Sequence, residues 1–379
     1  MMDAAVRLRA DEFYRTNYLG EDDGRGLFGH VPLGPDAILL HSNDYLDIGR
    51  HPRIVEAQIA SLREVGSGAL MSGVYLQDDD PQPVLQRRLA QHVGAESVLL
   101  CQSGWAANTD LLQAIARPGD TVFVDSKAHQ SLREGVRIAG ATPVKWRHNT
   151  PEHLDRRIRS KGPGIIVVDS IYSLNGTICP LADIVAVARE HGCVLVVDES
   201  HSLGVYGPDG GGLVHQLGLA GEVDFVTASL SKAFVTRAGL IACANRFTDY
   251  IRYTGPQAIF SSALLPHDLA GLSAVLDVVS SEEERRLRLH KVAERVRGTL
   301  LAAGVDINGS QAQIISLVAG EELQAMRLRD ELDHLGVHGS IFIPPATSEG
   351  GSLLRLSLHA GLGDADVDRI TSAVLATVS

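Results

Sequence analysis

Polar and ionisable side chains stand directly after several apolar runs of this 379-residue sequence. Ser103 and Gly104 follow one run, His129 follows a second, Asp198 closes a third and Lys232 follows a fourth. Short apolar runs of this kind predict buried β-strands. Because ligands of open α/β sheets bind beyond the carboxyl ends of the strands, we expect these side chains to meet at one edge of a sheet.

Each of these segments has an ordinary interpretation beside a chemical one. The segment Ser103–Trp105 predicts either a helix start that binds an anion through free N–H groups or a simple turn. The segment Asp198–His201 predicts a helix cap or, with Glu199, a metal site, although three ligands within four positions rarely converge on one ion. Lys232 is a Schiff-base lysine or a surface lysine, and His129 is a loop histidine or a ring that stacks on an aromatic cofactor.

Together the four segments match the chemical requirements of pyridoxal phosphate. Its phosphate needs N–H and hydroxyl donors, its pyridine nitrogen needs a carboxylate that keeps the ring protonated, and its aldehyde needs a lysine. The predicted strand ends offer all three, with Asp198 as the carboxylate and Lys232 as the amine. The residues therefore indicate a pyridoxal-phosphate site, and we expect no metal.

Apolar runs that alternate with helical patterns would position these residues. The predicted strands are SVLLC (97–101), TVFV (121–124), IIVVD (165–169), VLVVD (194–198), DFVTA (224–228) and GLIAC (239–243). Helical patterns separate most of them, which predicts an α/β domain whose sheet is covered on both faces.

The pattern changes near residue 266. A long helical stretch is followed by strands near 312–318, 338–343 and 352–358, a helix between the first two, and a last helix near 364–378. We therefore predict an N-terminal arm with little periodicity over 1–45, a large α/β domain over 46–265 and a smaller α+β domain over 266–379.

Composition narrows the range of partners. The chain carries 34 Lys and Arg against 46 Asp and Glu, a formal net charge of -12. An acidic surface repels nucleic-acid backbones and anionic lipid, so we expect neither nucleic acid nor a membrane as a partner. The 4 cysteines are widely spaced without a Cys-x-x-Cys pair, which favours a reduced cytoplasmic protein over a disulfide framework or a zinc site.

A set of motifs in a fixed order resembles the α-oxoamine synthase family. The motifs are SNDYL (42–46), SGWAAN (103–108), AHQS (128–131), DSIYSLNGTICPLADI (169–184), VDESHSLGVYG (197–207) and ASLSKA (228–233). The resemblance implies a fold-type I pyridoxal-phosphate transferase with a large, mainly parallel seven-stranded sheet and a smaller C-terminal α+β domain. It also implies a homodimer with shared active sites.

The resemblance implies a role for each residue of the site. Lys232 would bind the cofactor aldehyde and later move protons at the substrate α-carbon, Asp198 would pair with the pyridinium nitrogen, and His129 would stack on the ring. His201 would bond the phenolic oxygen of the cofactor, and Arg355 would clamp the amino-acid carboxylate. The remaining implied contacts are Ser103, Gly104, Trp105 and Ser229 at the phosphate, Ser261 and Ser262 reaching the phosphate from a second subunit, Ser173 beside cofactor and substrate, and Asn43 beside the substrate.

Within the family the sequence is similar to the branch that makes α-hydroxyketone quorum-sensing autoinducers. Segments such as FSSALLPHDLAGL and GSIFIPPAT carry this similarity, and FVTRAG (234–239) replaces the Gly-rich stretch that is usual after Ser-Lys-Ala. The branch implies that an acyl-CoA of medium or long chain condenses with aminobutyrate or an S-adenosylmethionine-like amino acid, loses carbon dioxide and yields an α-aminoketone. The alternatives are an aminotransferase on the same scaffold, another α-oxoamine synthase (of the amino-oxononanoate synthase, aminoketobutyrate ligase or serine palmitoyltransferase type), a non-catalytic regulator on the same fold, and a metal hydrolase.

Overall fold

An exposed helix, α1 (Ala4–Asn17), begins the computed structural model, which describes residues 4–17 and 33–378. This helix lies within the predicted arm, where the sequence pattern predicted no helix. Every described side chain of α1 is exposed, so no burial pattern marks the helix in the sequence. Residues 18–32 of the predicted arm lie outside the described residues. A two-residue strand, β1 (Ile38–Leu39), pairs in parallel with residues 337–338.

Seven strands form the main sheet. They are β2 (Ser97–Cys101), β3 (Thr121–Asp125), β4 (Thr142–Trp146), β5 (Ile165–Asp169), β6 (Val194–Asp198), β7 (Phe225–Ser229) and β8 (Gly239–Cys243). Their order is β2-β8-β7-β6-β5-β3-β4, and β8 runs antiparallel to the other six strands, which are parallel to one another. The predicted large, mainly parallel sheet is confirmed.

Helices cover both faces of this sheet. They are α2 (Pro52–Val65), α3 (Pro81–Val93), α4 (Gly104–Ile115), α5 (Gln130–Ala139), α6 (Pro151–Lys161), α7 (Leu181–His191), α8 (Leu213–Gln216), α9 (Asn245–Thr254) and α10 (Pro256–Phe260). Val122 and Val124 of β3 share a buried cluster with α4 and α5. Phe123 between them belongs to another cluster, with α6 and α7. Burial on both faces explains why these strands are almost continuously apolar.

Strand β4 was missed in the sequence because it lies at the edge of the sheet. Of its residues, Val144 and Trp146 are buried and the others are exposed. Pro143 cannot donate to a neighbouring strand, which an edge position tolerates. An edge strand that is covered on one face alternates instead of forming an apolar run, and five residues are too few to reveal the alternation.

A smaller layer begins at Pro266. Its elements are α11 (Pro266–Ser281), α12 (Glu283–Ala302), β9 (Ile314–Gly320), α13 (Glu322–His334), β10 (Val337–His338), β11 (Ser340–Phe342), β12 (Ser352–Ser357) and α14 (Asp364–Val378). Strands β11, β12 and β9 form an antiparallel sheet with β12, and hence Arg355, at its centre. The predicted C-terminal α+β arrangement is confirmed, although the strand expected near 338–343 is divided between two sheets.

The predicted domain boundaries at 45/46 and 265/266 stay predictions. One hydrophobic cluster contains side chains from all three predicted segments, among them Leu40, Leu230 and Leu354. The small sheet is therefore packed against the segment that carries Lys232.

Among the residues that the structure describes, no helix is both long enough and apolar enough to span a bilayer.

Candidate active site

The start of helix α4 lies directly against the end of strand β7. Ser103 caps the helix, and its Oγ accepts a hydrogen bond of 3.0 Å from the amide of Ala106. A Cβ on Gly104 would come within 2.5 Å of the Ser229 Cβ, so only glycine permits this approach. The Oγ atoms of Ser229 and Ser231 are 2.8 Å apart. Free amides at a helix start and nearby hydroxyls fit a phosphate, and the phosphate contacts of these residues stay a prediction.

Asp198 ends strand β6 as a buried carboxylate with two donors. Its Oδ1 accepts from the amide of Ser200 at 2.8 Å, and its Oδ2 accepts from Asn108 Nδ2 at 2.6 Å. Asn108 lies one helical turn after Gly104, on the face of α4 that also carries Leu111 and Leu112, and sequence reasoning did not single it out. The signal was available, because Asn108 closes the SGWAAN motif and a buried amide on an apolar helix face needs a polar partner.

His129 lies at the start of helix α5, at the end of the neighbouring strand β3. Its amide donates to Asp169 Oδ2 at 3.0 Å, and its Nδ1 is 2.7 Å from Ser131 Oγ. The Trp105 and His129 rings meet edge to face, with 6.4 Å between their centroids. Burial lowers the pKa of His129, and the charge of Asp198 opposes that shift. A largely buried neutral imidazole fits a ring that stacks on a cofactor.

Lys232 follows strand β7 and is half-buried. Burial lowers the pKa of Lys232 to about 8, with a further lowering by the charge of Arg355 and an opposing effect of Asp198. The amine is therefore far closer to its neutral form at neutral pH than an ordinary lysine. A neutral amine is what attack on an aldehyde requires.

We expect apo-enzyme to take up pyridoxal phosphate faster as the pH rises through about 8, because the neutral amine of Lys232 is the reactive form. Since Arg355 contributes to the low pKa of Lys232, Arg355→Met should move the midpoint of this pH dependence to higher pH. Arg295→Met changes an exposed surface arginine and should leave the midpoint unchanged. Stopped-flow mixing at a series of pH values measures the midpoint. An identical midpoint in Arg355→Met would contradict the electrostatic link.

His201 is held by a tyrosine that sequence reasoning did not single out. Tyr45 OH lies 2.6 Å from His201 Nδ1, and Gln313 Nε2 donates to the His201 carbonyl at 2.8 Å. Both rings are buried. Burial holds the pKa of His201 well below its usual range, and the charge of Lys232 adds to this effect. A neutral imidazole in this place fits the predicted hydrogen bond to a phenolic oxygen.

Glu199 is turned away from Asp198 and His201. Its Oε1 accepts from the amides of Leu213 and Val214 at 2.6 and 2.9 Å, at the start of helix α8. Burial raises the pKa of Glu199 to about 7. The three residues considered as a metal set have separate partners, so the metal-hydrolase alternative has no geometric support in them.

Arg355 and its neighbours form the substrate side of the site. Its Nη1 donates to the Ser173 carbonyl at 3.0 Å and its Nη2 to Asn43 Oδ1 at 3.2 Å, while the guanidinium lies 4.7 Å from the Phe342 ring centroid. Arg355 is 6% exposed, and its Nε is buried without a partner. Within the described residues no carboxylate pairs with Arg355. A buried cation without a counter-ion is costly, which favours an anionic ligand here.

Ser261 and Ser262 lie near the phosphate cradle but contact their own chain. Ser261 Oγ donates to the Gln257 carbonyl at 2.5 Å, and the Ser262 carbonyl accepts from Gln102 at 2.8 Å. Their predicted reach into a second subunit stays a prediction.

Known proteins are similar to this chain over nearly its whole length. Residues 35–374 match the family model for aminotransferase class I and II. The chain is 41% identical to a CAI-1 autoinducer synthase from Vibrio campbellii over 96% of this chain and 92% of that protein. It is 32% identical to a putative 8-amino-7-oxononanoate synthase from Geobacillus kaustophilus, over 90% and 88%. A solved serine palmitoyltransferase from S. paucimobilis with bound PLP–myriocin aldimine superposes with a TM-score of 0.86 at 25% identity, over 99% and 97% of the two chains.

The sheet order and the lysine site define a fold-type I pyridoxal-phosphate transferase. The chain belongs to the class I and II aminotransferase family and, within it, to the α-oxoamine synthases. It is a pyridoxal-phosphate-dependent acyltransferase, which removes the non-catalytic regulator from the alternatives.

Proposed function

We propose that this enzyme condenses an acyl-CoA of medium or long chain with a small α-amino acid, aminobutyrate or one like S-adenosylmethionine. Coenzyme A and carbon dioxide leave, and the α-aminoketone that remains is the precursor of an α-hydroxyketone autoinducer. The observation that carries the proposal is the buried, incompletely paired Arg355 beside the Lys232 site. The 41% identity to a CAI-1 autoinducer synthase supports the signalling branch.

In this proposal each residue has one task. Bound pyridoxal phosphate supplies an electron sink for negative charge at the amino-acid α-carbon. Asp198 keeps the ring nitrogen protonated, and His129 covers the ring. Lys232, with a pKa of about 8, moves the proton at the α-carbon near neutral pH. Arg355 orients the carboxylate that later leaves as carbon dioxide.

A cavity beside the phosphate cradle supports a place for the acyl tail. It lies between strand β2 and helices α3, α9 and α10 and is partly open to solvent. Leu76, Leu100, Ile251 and Leu264 line it, and Gln102 connects it to Ser103 of the cradle. We propose that the apolar chain of the thioester occupies this cavity.

Product analysis by mass spectrometry with a panel of acyl-CoA donors and amino acids tests the function. An α-aminoketone from a medium- or long-chain donor is expected, with stoichiometric coenzyme A release. Leu264→Trp should shift the preference toward shorter donors, because the larger ring fills the cavity. Aminoketones from glycine, serine or a pimeloyl donor alone would assign the enzyme to another branch of the family.

We expect Arg355→Lys to raise the amino-acid KM roughly ten- to a hundredfold, since losing one charge-assisted hydrogen bond costs about 1.5–3 kcal/mol. A lysine ammonium cannot reproduce the two parallel bonds of a guanidinium to a carboxylate. The ranking of acyl donors should stay unchanged. Steady-state kinetics against both substrates measure this, with Arg295→Lys as the surface control. An unchanged amino-acid KM would place the carboxylate site elsewhere.

The four cysteines support a cytoplasmic location. All four are free, and Cys179 and Cys243 are buried. Disulfides are rare in reducing compartments, so unpaired cysteines are typical of cytoplasmic proteins.

We also propose that the enzyme acts as a homodimer whose subunits share active sites. Phe260, Leu70 and Tyr75 are 85%, 69% and 68% exposed. Their two segments adjoin, since Ser72 Oγ donates to the Ile259 carbonyl at 2.7 Å. Such an exposed apolar patch is typical of an interface, and it lies next to the serines predicted to reach the second subunit.

Mixing two inactive variants tests the shared site. We expect Lys232→Ala combined with the double variant Ser261→Ala, Ser262→Ala to recover activity in about a quarter of all sites, since half of the random dimers are mixed and each has one intact site. Subunits are exchanged by mild denaturation and activity is measured at limiting cofactor. Lys232→Ala mixed with Asp198→Asn is the control and should recover nothing. Absence of recovery in the first mixture would contradict sharing.

A further inference from the structure

The side-chain amide of Asn108 joins the two residues that would flank the cofactor ring. Its Nδ2 lies 2.6 Å from Asp198 Oδ2 and 2.8 Å from Ser131 Oγ, and its Oδ1 lies 2.5 Å from Thr227 Oγ1. Ser131 Oγ in turn lies 2.7 Å from His129 Nδ1. Asn108, Ser131, Thr227 and Asp198 are all at most 3% exposed. A single buried chain of hydrogen bonds therefore links strand β7 to Asp198 and to His129.

The Asp198 carboxylate determines the direction of every hydrogen bond in this chain. A carboxylate only accepts, so the Asn108 atom that faces it is the NH₂ group. The second proton of that NH₂ goes to Ser131 Oγ, and Ser131 therefore directs its own hydroxyl proton to His129 Nδ1. The amide of Ser131 also faces Nδ1, at 3.3 Å. His129 Nδ1 is thus an acceptor, and the proton of the neutral ring is on Nε2.

We propose that Asn108 is a positioning residue that holds the Asp198 carboxylate for the ring nitrogen and, through Ser131, keeps His129 in its neutral Nε2–H form. The inference rests on the cofactor placement proposed above, but not on the identity of the acyl donor or the amino acid. A neutral imidazole can stack on a protonated pyridine ring, whereas an imidazolium would place a second positive charge against it. Asn108 therefore couples the two contacts that the ring needs.

Nitrogen NMR of holoenzyme labelled at histidine tests the His129 branch, with His129→Gln identifying the signal. Wild type should show a proton on Nε2 and none on Nδ1. In Asn108→Asp the new carboxyl must share a proton with Asp198, which lies 2.6 Å from this position in wild type. It then has no second proton for Ser131 and accepts from the Ser131 hydroxyl instead, so the Nδ1-protonated form of His129 should increase. Ser131→Ala removes the hydroxyl donor to Nδ1 without touching the Asn108 side chain. Only the more distant main-chain amide of residue 131, at 3.3 Å, then faces Nδ1, so the ring should become a mixture of protonation forms.

Cofactor affinity tests the Asp198 branch. Asn108→Ala should weaken binding of pyridoxal phosphate roughly ten- to a hundredfold, the effect of losing a hydrogen bond to a charged group. Ser131→Ala should change it far less. Gln113→Ala is the matched control on helix α4, because this half-buried side-chain amide donates to the Thr109 carbonyl and not to Asp198. It should move neither measurement.

Two results would overturn the inference. One is a His129 signal in Ser131→Ala that is identical to that of wild type. This variant retains the whole Asn108 side chain, so a loss of folding around Asn108 would not explain the result. The other is wild-type cofactor affinity in a folded Asn108→Ala. Both measurements are made without substrates, so they are independent of which acyl donor and amino acid the enzyme uses.

Discussion

Lys232→Ala is expected to lose the yellow colour of the bound cofactor and its turnover together. No other side chain at the ends of β6 and β7 carries an amine, and burial already brings the pKa of Lys232 to about 8. The variant would lack both the covalent attachment and the group that moves the α-proton. A positioned acid–base group alone contributes roughly a hundred- to ten-thousandfold to rate. Absorption after exhaustive dialysis and coenzyme A release measure the two losses.

Lys127→Ala is the matched control, since Lys127 is also a half-buried lysine just beyond a strand end, with a pKa that burial lowers. This variant should keep both the colour and the turnover. Retained colour in Lys232→Ala would move the covalent bond to another amine and overturn the assignment of the site.

The second large effect is expected for Asp198→Asn, which should fold normally and lose nearly all turnover. Asparagine can accept from Asn108 or Ser200 through its one oxygen, but it cannot hold the proton on a pyridine nitrogen by charge. Breaking a buried ion pair costs about 3–5 kcal/mol, which corresponds to roughly two to four powers of ten in rate. Thermal unfolding of the variant separates this effect from a loss of folding.

The register partner of Asp198 provides the control for this variant. Asp169 lies beside it on β5, and its Oδ2 accepts from the His129 amide at 3.0 Å. Burial and the charge of Asp198 hold the pKa of Asp169 well above its usual range. Asp169→Asn, which puts a neutral amide there, should therefore lose little turnover. Turnover of Asp198→Asn within about tenfold of wild type, roughly 1.4 kcal/mol, would refute the charge-based role.

Local sequence patterns were sufficient to predict six of the seven strands of the main sheet and the polar residues that follow them. Val196 and Val197 are buried on opposite faces of β6, so the strand appears as an apolar run, and Asp198 marks its end. Lys232 and His129 were predicted in the same way from the runs before them. Strand β4 and helix α1 were missed because one is covered on a single face and the other is exposed, and neither burial pattern forms a run.

Only the tertiary structure decided which side chains meet. Asn108 lies 90 residues from Asp198, and Tyr45 lies 156 residues from His201, yet each pair forms a hydrogen bond of 2.6 Å. Glu199 is adjacent to Asp198 in sequence but bonds elsewhere, because successive residues at a strand end point to opposite faces. Which residues of a strand or helix are buried shows in the apolar pattern of that short segment, so burial can be predicted from the sequence. Pairing depends on the strand order, which places β7 and β5 beside β6 and the start of α4 against β7, and no local pattern records that order.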